Sequence, residues 1–237
     1  MSAWAILQAR MTSSRMPGKV LKEAGGRTLL AWVVRAVSKT PGIDAVCVAI
    51  PEGTAHDPIV AEANHIGATV ARGSETDVLS RFHVAAQEVD ASIIMRVTTD
   101  CPFSDPAINA KVLALIAEVG VDYACNNEPF SYPHGLDCEV FTREALVEAH
   151  HTATDPYDRE HVTPWIKRAA HLTRRYLVGT GFPPADWRMT VDHPEDFEFF
   201  KKVVEVLGDR VSDHLAVAEF LEANESLHKL NCHLKQR

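Results

Sequence analysis

The first half of this chain has a rhythm that constrains the fold more than any single motif: short apolar, β-favouring runs alternate with longer amphipathic stretches. Parallel strands need long crossover connections, and crossover helices cover the sheet they join, so this alternation calls for an α/β protein. The runs predict strands over 4–8, 45–50, 68–71 and 92–97, with helices over 28–38, 58–66, 77–89 and 106–119. Boundary signals agree with the rhythm. Thr28 can cap the first helix and Pro41-Gly42 stops the connection after it, while Asp57-Pro58 and Asp105-Pro106 each set a capping carboxylate before a proline at a helix start.

From about Tyr123 the regularity degrades into the loop NNEPFSYPHG, followed by a strand-like DCEVFT and a short helix REALVEAHH. A helix over 156–169, a strand over 171–178 and a short strand in RMTVD are expected next, and the chain ends with helical spacing over 194–207 and 215–234. The 237 residues suit one domain, 1–237, carrying an inserted α+β segment at about 123–180.

Charge and cysteine content exclude whole classes of function. Lys and Arg total 24 against 32 Asp and Glu, a net charge of -8, which argues against nucleic acid or a membrane surface as partner. Cys47, Cys101, Cys125, Cys138 and Cys232 are odd in number and form no C-x-x-C pair, as expected in a reducing cytoplasm. The opening MSAWAILQARMTSS is too short in its apolar run for a signal peptide or an anchor. Twelve histidines form no H-E-x-x-H or Cys/His cluster, and the neighbours His150 and His151 cannot share a helical face, so solvated histidines are expected.

The strongest chemical signal is ILQARMTSSRMPGKVL over 6–21, where a strand runs into a loop carrying Arg10, Arg15 and Lys19 with Ser13 and Ser14. In α/β sheets ligands bind beyond the carboxyl ends of the strands, and guanidinium, ammonium, hydroxyl and backbone N–H groups there suit a triphosphate. The loop has no G-x-G-x-x-G, and Val20 and Ser13 break the P-loop pattern, which disfavours a dinucleotide-dependent dehydrogenase. A solvated basic turn is the alternative. Asp100, in RVTTDCP after the central strand, would face phosphates held by that loop, and Asp192 follows another short strand. Each could equally cap the helix downstream.

These segments, with RGSETDVLSRF (72–82), YPHGLDCEVF (132–141), DREHVTPWI (158–166) and RMTVDHPEDFEF (188–199), together resemble the cytidylyltransferases that make CMP-activated sugar acids. The resemblance covers about residues 5–200 and looks closest to the spore coat polysaccharide biosynthesis branch. It implies a Rossmann-like, glycosyltransferase-A-like nucleotidyltransferase fold, with a mostly parallel sheet sandwiched by helices. It also implies CMP transfer from CTP to a sugar or sugar-acid hydroxyl, with a sugar phosphate acceptor or a catalytically silent nucleotide-binding module as alternatives. Arg10, Lys19 and Asp100 are then the catalytic candidates, and Asp100 and Asp192 the pair for Mg²⁺, a hard cation that takes oxygen ligands. Nucleotide contacts are expected from Gln8, Ala9, Arg10, Ser14, Arg15, Lys19, Ser74, Thr76, Asp77 and Thr98. Two departures stand in RGSETD: Glu75 and Val78 replace the Gly and Arg of CMP-Kdo synthetases, with Arg81 one turn later, and Asp77 could serve as an N-cap. His134, Asp137, Glu139, Arg159 and His161 are the acceptor-side candidates, beside Glu160. A homodimer formed through 123–178 is also implied.

Overall fold

A computed structural model describes residues 2–234. The elements in chain order are β1 (Ala3–Gln8), β2 (Glu23–Ala24), β3 (Arg27–Thr28), α1 (Leu29–Ser38), β4 (Ala45–Pro51), α2 (Asp57–His65), β5 (Thr69–Gly73), α3 (Val78–Glu88), β6 (Ile93–Thr98) and α4 (Pro106–Ile116). They continue as β7 (Tyr123–Cys125), β8 (Glu139–Thr142), α5 (Arg143–Thr152), α6 (Pro156–His161), α7 (Pro164–Arg168), β9 (Arg174–Tyr176), α8 (Pro194–Leu207), α9 (His214–Glu222) and α10 (Glu225–His228). Seven strands form one sheet in the order β5-β4-β1-β6-β8-β7-β9, and β2 and β3 form a separate small ribbon.

The α/β expectation holds. β1 pairs in parallel with both β4 and β6, and β4 with β5, while β8 runs antiparallel to β6 and β7. Successive residues on a strand face opposite sides, so Ile6 and Cys47 pack among α3, α5 and α7 while Leu7 and Val48 pack among α1, α2 and α4. Helices on both faces explain why β1 and β4 read as nearly continuous apolar runs. A third apolar cluster joins Trp32, Phe103, Phe199, Phe200 and Leu221 and fixes α8 and α9 against α1 and α4.

The caps are as anticipated at Thr28, Asp77 and Asp105, whose side chains accept from Ala31, Ser80 and Ala107 N–H at 3.0, 2.9 and 2.6 Å. Asp57 differs, being the first residue of α2, with His56 before it. The second half departs more. The expected helix over 156–169 splits into α6 and α7: Pro164 has no N–H to extend the ladder, and Val162 turns to φ 71°, closing a tight turn from Thr163 N–H to His161 C=O at 2.9 Å. β7 falls inside the segment that reads as irregular, and the strand over 171–178 shrinks to β9. RMTVD forms one isolated bridge instead of a strand, because Met189 N–H goes to His134 C=O and Val191 N–H to Asp100 C=O, which belong to different loops. The helical spacing over 215–234 resolves into α9 and α10.

Candidate active site

β1 sends its connection to one side of the sheet and its other neighbour, β6, lies on the opposite side, which makes the gap above their carboxyl ends the switch point of the topology. A cavity of about 570 Å³ opens there, lined from five segments. β1 and the loop after it supply Gln8, Ala9, Arg10, Ser13, Ser14, Arg15 and Lys19; the β5–α3 turn and α3 supply Glu75, Thr76 and Arg81; β6 and its loop supply Thr98, Thr99 and Asp100. Glu160 and His161 enter from α6 and Asp192 from the segment before α8. A larger cavity of about 760 Å³ lies at the amino end of β4, between α1 and α2. It gathers no carboxyl end of a main-sheet strand, and Arg27 and Arg35 at its wall are paired to Asp209.

Local geometry aims the cationic loop. Gly18 takes a left-handed φ of 66°, which a side chain resists, and its N–H returns to Met11 C=O at 2.9 Å, so the chain enters a short 3₁₀ turn with Lys19 at its start. Lys19 Nζ then donates to Asp192 Oδ1 at 2.8 Å, to Val191 C=O at 2.9 Å and to Asp100 Oδ2 at 3.4 Å. Arg15 pairs with the other Asp192 oxygen at 3.0 Å. Burial opposes charge on Asp192, but Lys19 and Arg15 outweigh it and hold the carboxyl well below the usual range. Thr98 Oγ1 donates to Asp100, and Thr190 Oγ1 and Val191 N–H both donate to its backbone carbonyl, at 3.0 and 2.8 Å.

The two carboxylates therefore lie around one point, occupied by the Lys19 ammonium. Two carboxylates converging on one cationic group are a hard-oxygen donor set of the kind Mg²⁺ takes, and Asp100 and Asp192 are the residues that would hold it. On the opposite wall Arg81 is buried, its guanidinium donating to Ser74 and Glu75 carbonyls while its Nε has no protein partner. Burial and the nearby Arg10 lower its pKa to about 10 despite Glu75 and Asp77. Such a group gains from an incoming anion.

Gln8, Ala9, Arg10, Ser14, Arg15, Lys19, Thr76, Thr98, Asp100, His161 and Asp192 are brought together in the cavity. Six other candidates are not. Asp77 spends one oxygen on Ser80 N–H and the other on Arg159, so it ties α3 to α6; Arg159 also donates to His150 C=O at 2.7 Å. Ser74 Oγ accepts Asp77 N–H at 3.0 Å and stabilises the turn. Glu139 is buried on β8 and receives Arg96, Tyr123 OH at 2.6 Å, Thr163 Oγ1 at 2.8 Å and Lys167 Nζ at 3.0 Å. Burial would raise its pKa, but Arg96 and Lys167 bring it to about 2. His134 and Asp137 pair at 3.4 Å outside the cavity lining. Burial, with Glu139 and Asp100 nearby, raises the Asp137 carboxyl above its ordinary value although His134 opposes the rise. Their loop is pressed against the Asp192 segment at Gly135, where a Cβ would lie 2.3 Å from the Met189 carbonyl group.

Glu75 and Thr99 are cavity residues that the sequence reading did not select; Glu75 accepts Thr12 Oγ1 at 2.8 Å and Thr99 Oγ1 donates to Gln8 C=O at 2.9 Å. Their positions inside RGSETD and RVTTDCP are the signal that could have found them. His151 is exposed, as expected of the histidines, whereas His83 of α3 and His150 of α5 are half-buried and stack with ring centroids 4.3 Å apart.

Comparison with known proteins places the chain among characterised folds. A spore coat polysaccharide biosynthesis protein of Bacillus subtilis, SpsF, is 32% identical over 86% of this chain and 87% of its own length. The solved structure of a cytidylyltransferase from Leptospira borgpetersenii superposes with a TM-score of 0.90 at 26% identity, covering 100% of this chain and 99% of that one. A CMP:2-keto-3-deoxy-manno-octonic acid synthetase complexed with CTP shares the fold at a TM-score of 0.66 and 16% identity, over 86% of this chain and 99% of that one. The cytidylyltransferase family model matches residues 4–236, and the chain belongs to that family.

Proposed function

We propose that this protein transfers CMP from CTP to a hydroxyl of a sugar or sugar acid with release of pyrophosphate, supplying an activated sugar for surface polysaccharide or glycoconjugate synthesis. One observation carries the reading: the cations of the 10–19 loop and the Asp100–Asp192 pair meet in a single cavity at the sheet's switch point. Arg10, Arg15, Lys19 and Arg81 neutralise the triphosphate, and Asp100 and Asp192 hold Mg²⁺. When bound, that ion supplies charge compensation at the phosphate oxygens. The acceptor hydroxyl gives up its proton to solvent, its oxygen bonds to the α-phosphorus, the bond to the oxygen bridging to the β-phosphate breaks, and pyrophosphate leaves in line with that electron pair. With one displacement at phosphorus, no covalent nucleophile is needed from the chain, and the work of the side chains is positioning and electrostatics. As CTP approaches, Lys19 exchanges carboxylate partners for phosphate oxygens.

Relatives named for spore coat polysaccharide and for a CMP-sugar-acid synthetase support the nucleotide and the acceptor class. The chain is proposed to work as one domain with an acceptor-side insertion at about 123–180, and as a homodimer formed through that region. Among the described residues no helix is long and apolar enough to cross a membrane, and all five cysteines are unpaired. Both features are compatible with the proposed site of action, the cytoplasm. The deciding experiment is pyrophosphate release from each of four nucleoside triphosphates over a panel of sugar acids, neutral sugars and sugar phosphates, with products weighed by mass spectrometry. CTP-specific release yielding a CMP-sugar acid is the expected result. Release only with sugar phosphates transfers the assignment to that acceptor class, and metal-dependent CTP binding with no release on any acceptor overturns it.

A further inference from the structure

Asp192 lies in a segment that is neither helix nor strand, so regular backbone pairing does not fix its carboxylate. The carboxylate is paired to Lys19 and Arg15, and the main chain that carries it is held by Asp196, fully buried at the start of α8, whose Oδ2 accepts Asp192 N–H at 3.0 Å, His193 N–H at 2.9 Å and Arg188 Nη2 at 2.8 Å. Its Oδ1 accepts Arg188 Nε at 2.8 Å and, from the far end of the chain, Asn231 Nδ2 at 3.1 Å. The same Asn231 nitrogen donates to Arg188 C=O at 3.2 Å. Both acceptors are oxygens, which identifies the group facing them as the amide NH₂, with its two hydrogens divided between them. Asn231 is 1% exposed, and three residues earlier His228 packs its ring on Trp187 with centroids 4.0 Å apart. The turn after α10 therefore closes over both ends of the segment that carries Asp192. Nothing in the helical spacing of 215–234 suggests such a task.

We propose that Asn231 is a positioning residue for the metal-binding carboxylate Asp192, making the C-terminal turn part of the scaffold of the catalytic centre. The proposal rests on the Mg²⁺ reading above. Asn231 touches no substrate; it acts by holding the Arg188–Asp196 pair in the orientation that fixes the Asp192 backbone. Groups that orient a metal ligand typically change metal affinity or activity by about 10- to 100-fold when removed.

The test uses the full chain and Mn²⁺ as probe, titrated by the loss of its free electron paramagnetic resonance signal in the presence of a non-hydrolysable CTP analogue. Asn231→Leu removes both donated hydrogen bonds at similar volume. Asn231→Ala, small enough to admit a water, is the second variant should the first fail to fold. In the folded variant the Mn²⁺ dissociation constant should rise about 10-fold or more while affinity for CTP in EDTA stays within about twofold. Turnover should fall with little change in KM for CTP, and raised Mg²⁺ should recover part of it. A merely structural role would lower the melting temperature and leave the metal affinity of the folded fraction unchanged, and that result overturns the proposal. Asp192→Asn is the control that separates the two levels. If it leaves Mn²⁺ affinity unchanged, the metal assignment fails and this proposal with it; if it weakens Mn²⁺ binding while the Asn231 variants do not, this proposal alone fails.

Discussion

Replacing Lys19 by Met should move two measurable quantities in opposite directions. Lys19 Nζ is the shared partner of Asp192 at 2.8 Å and Asp100 at 3.4 Å, and its side chain is only 12% exposed. Removing it takes away a cation that would bear on the triphosphate, and losing one such preorganised contact costs about 2.7–4 kcal/mol, or roughly 100- to 1,000-fold in kcat. The same change frees the two carboxylates of the ammonium that competes with a metal ion for them. A unit charge 4 Å away is worth about 4 kcal/mol at an effective dielectric of 20, and solvent reaching the cavity leaves about a third of that, about 1.4 kcal/mol. Mn²⁺ affinity measured without nucleotide should therefore rise about tenfold in Lys19→Met as turnover collapses. Arg15 stays paired with Asp192 at 3.0 Å and keeps that buried carboxylate compensated, so the variant should fold. Steady-state pyrophosphate release and Mn²⁺ titration read the two effects. Unchanged turnover would refute the phosphate role of Lys19, and metal affinity that falls with turnover would refute the placement of the cation site between Asp100 and Asp192.

Asp100→Ala should lower CTP-dependent pyrophosphate release by about 100-fold or more, since it removes one of two carboxylates at that point; turnover at the wild-type rate would end its assignment. Arg159→Ala should cost stability, about 1 kcal/mol after allowance for solvent screening of its half-buried pair with Asp77, and leave KM for both substrates unchanged, as denaturant curves beside kinetics will show. Glu139 has a folded pKa of about 2, below that of an unfolded glutamate, so its contribution is fully present above about pH 4.5 and is lost as pH falls from there toward 2. Wild-type urea midpoints should drop across that window. Glu139→Gln, which breaks a buried charged network, should start roughly 3 kcal/mol less stable and show a flatter acid limb. Equal acid limbs for the two proteins would show that the depressed carboxyl lies elsewhere.

How much of the site was legible depended on whether a residue's role is local. Arg10, Arg15 and Lys19 lie within one strand-to-loop passage, so the switch-point rule and their charge were enough to place them together. Asp77 and Arg159 look like ligands in sequence because they are charged residues in suggestive motifs. They satisfy each other across two helices that nothing local relates. The surroundings of Glu139 are hidden from the sequence for the same reason: its partners come from β6, β7 and the turn and helix around Thr163 and Lys167.

Taken alone, the sequence determined the α/β architecture, because apolar period and helix caps are properties of neighbouring residues. It also determined a cationic loop at the end of the first strand, despite a net charge of -8. Only the tertiary structure decided that Asp192 meets Asp100 across Lys19, that β7, β8 and β9 complete the main sheet, and that Asn231 closes over Asp196. Those facts are pairings between distant segments, fixed by which buried donors and acceptors the packed chain can satisfy, and no periodicity along the chain encodes them.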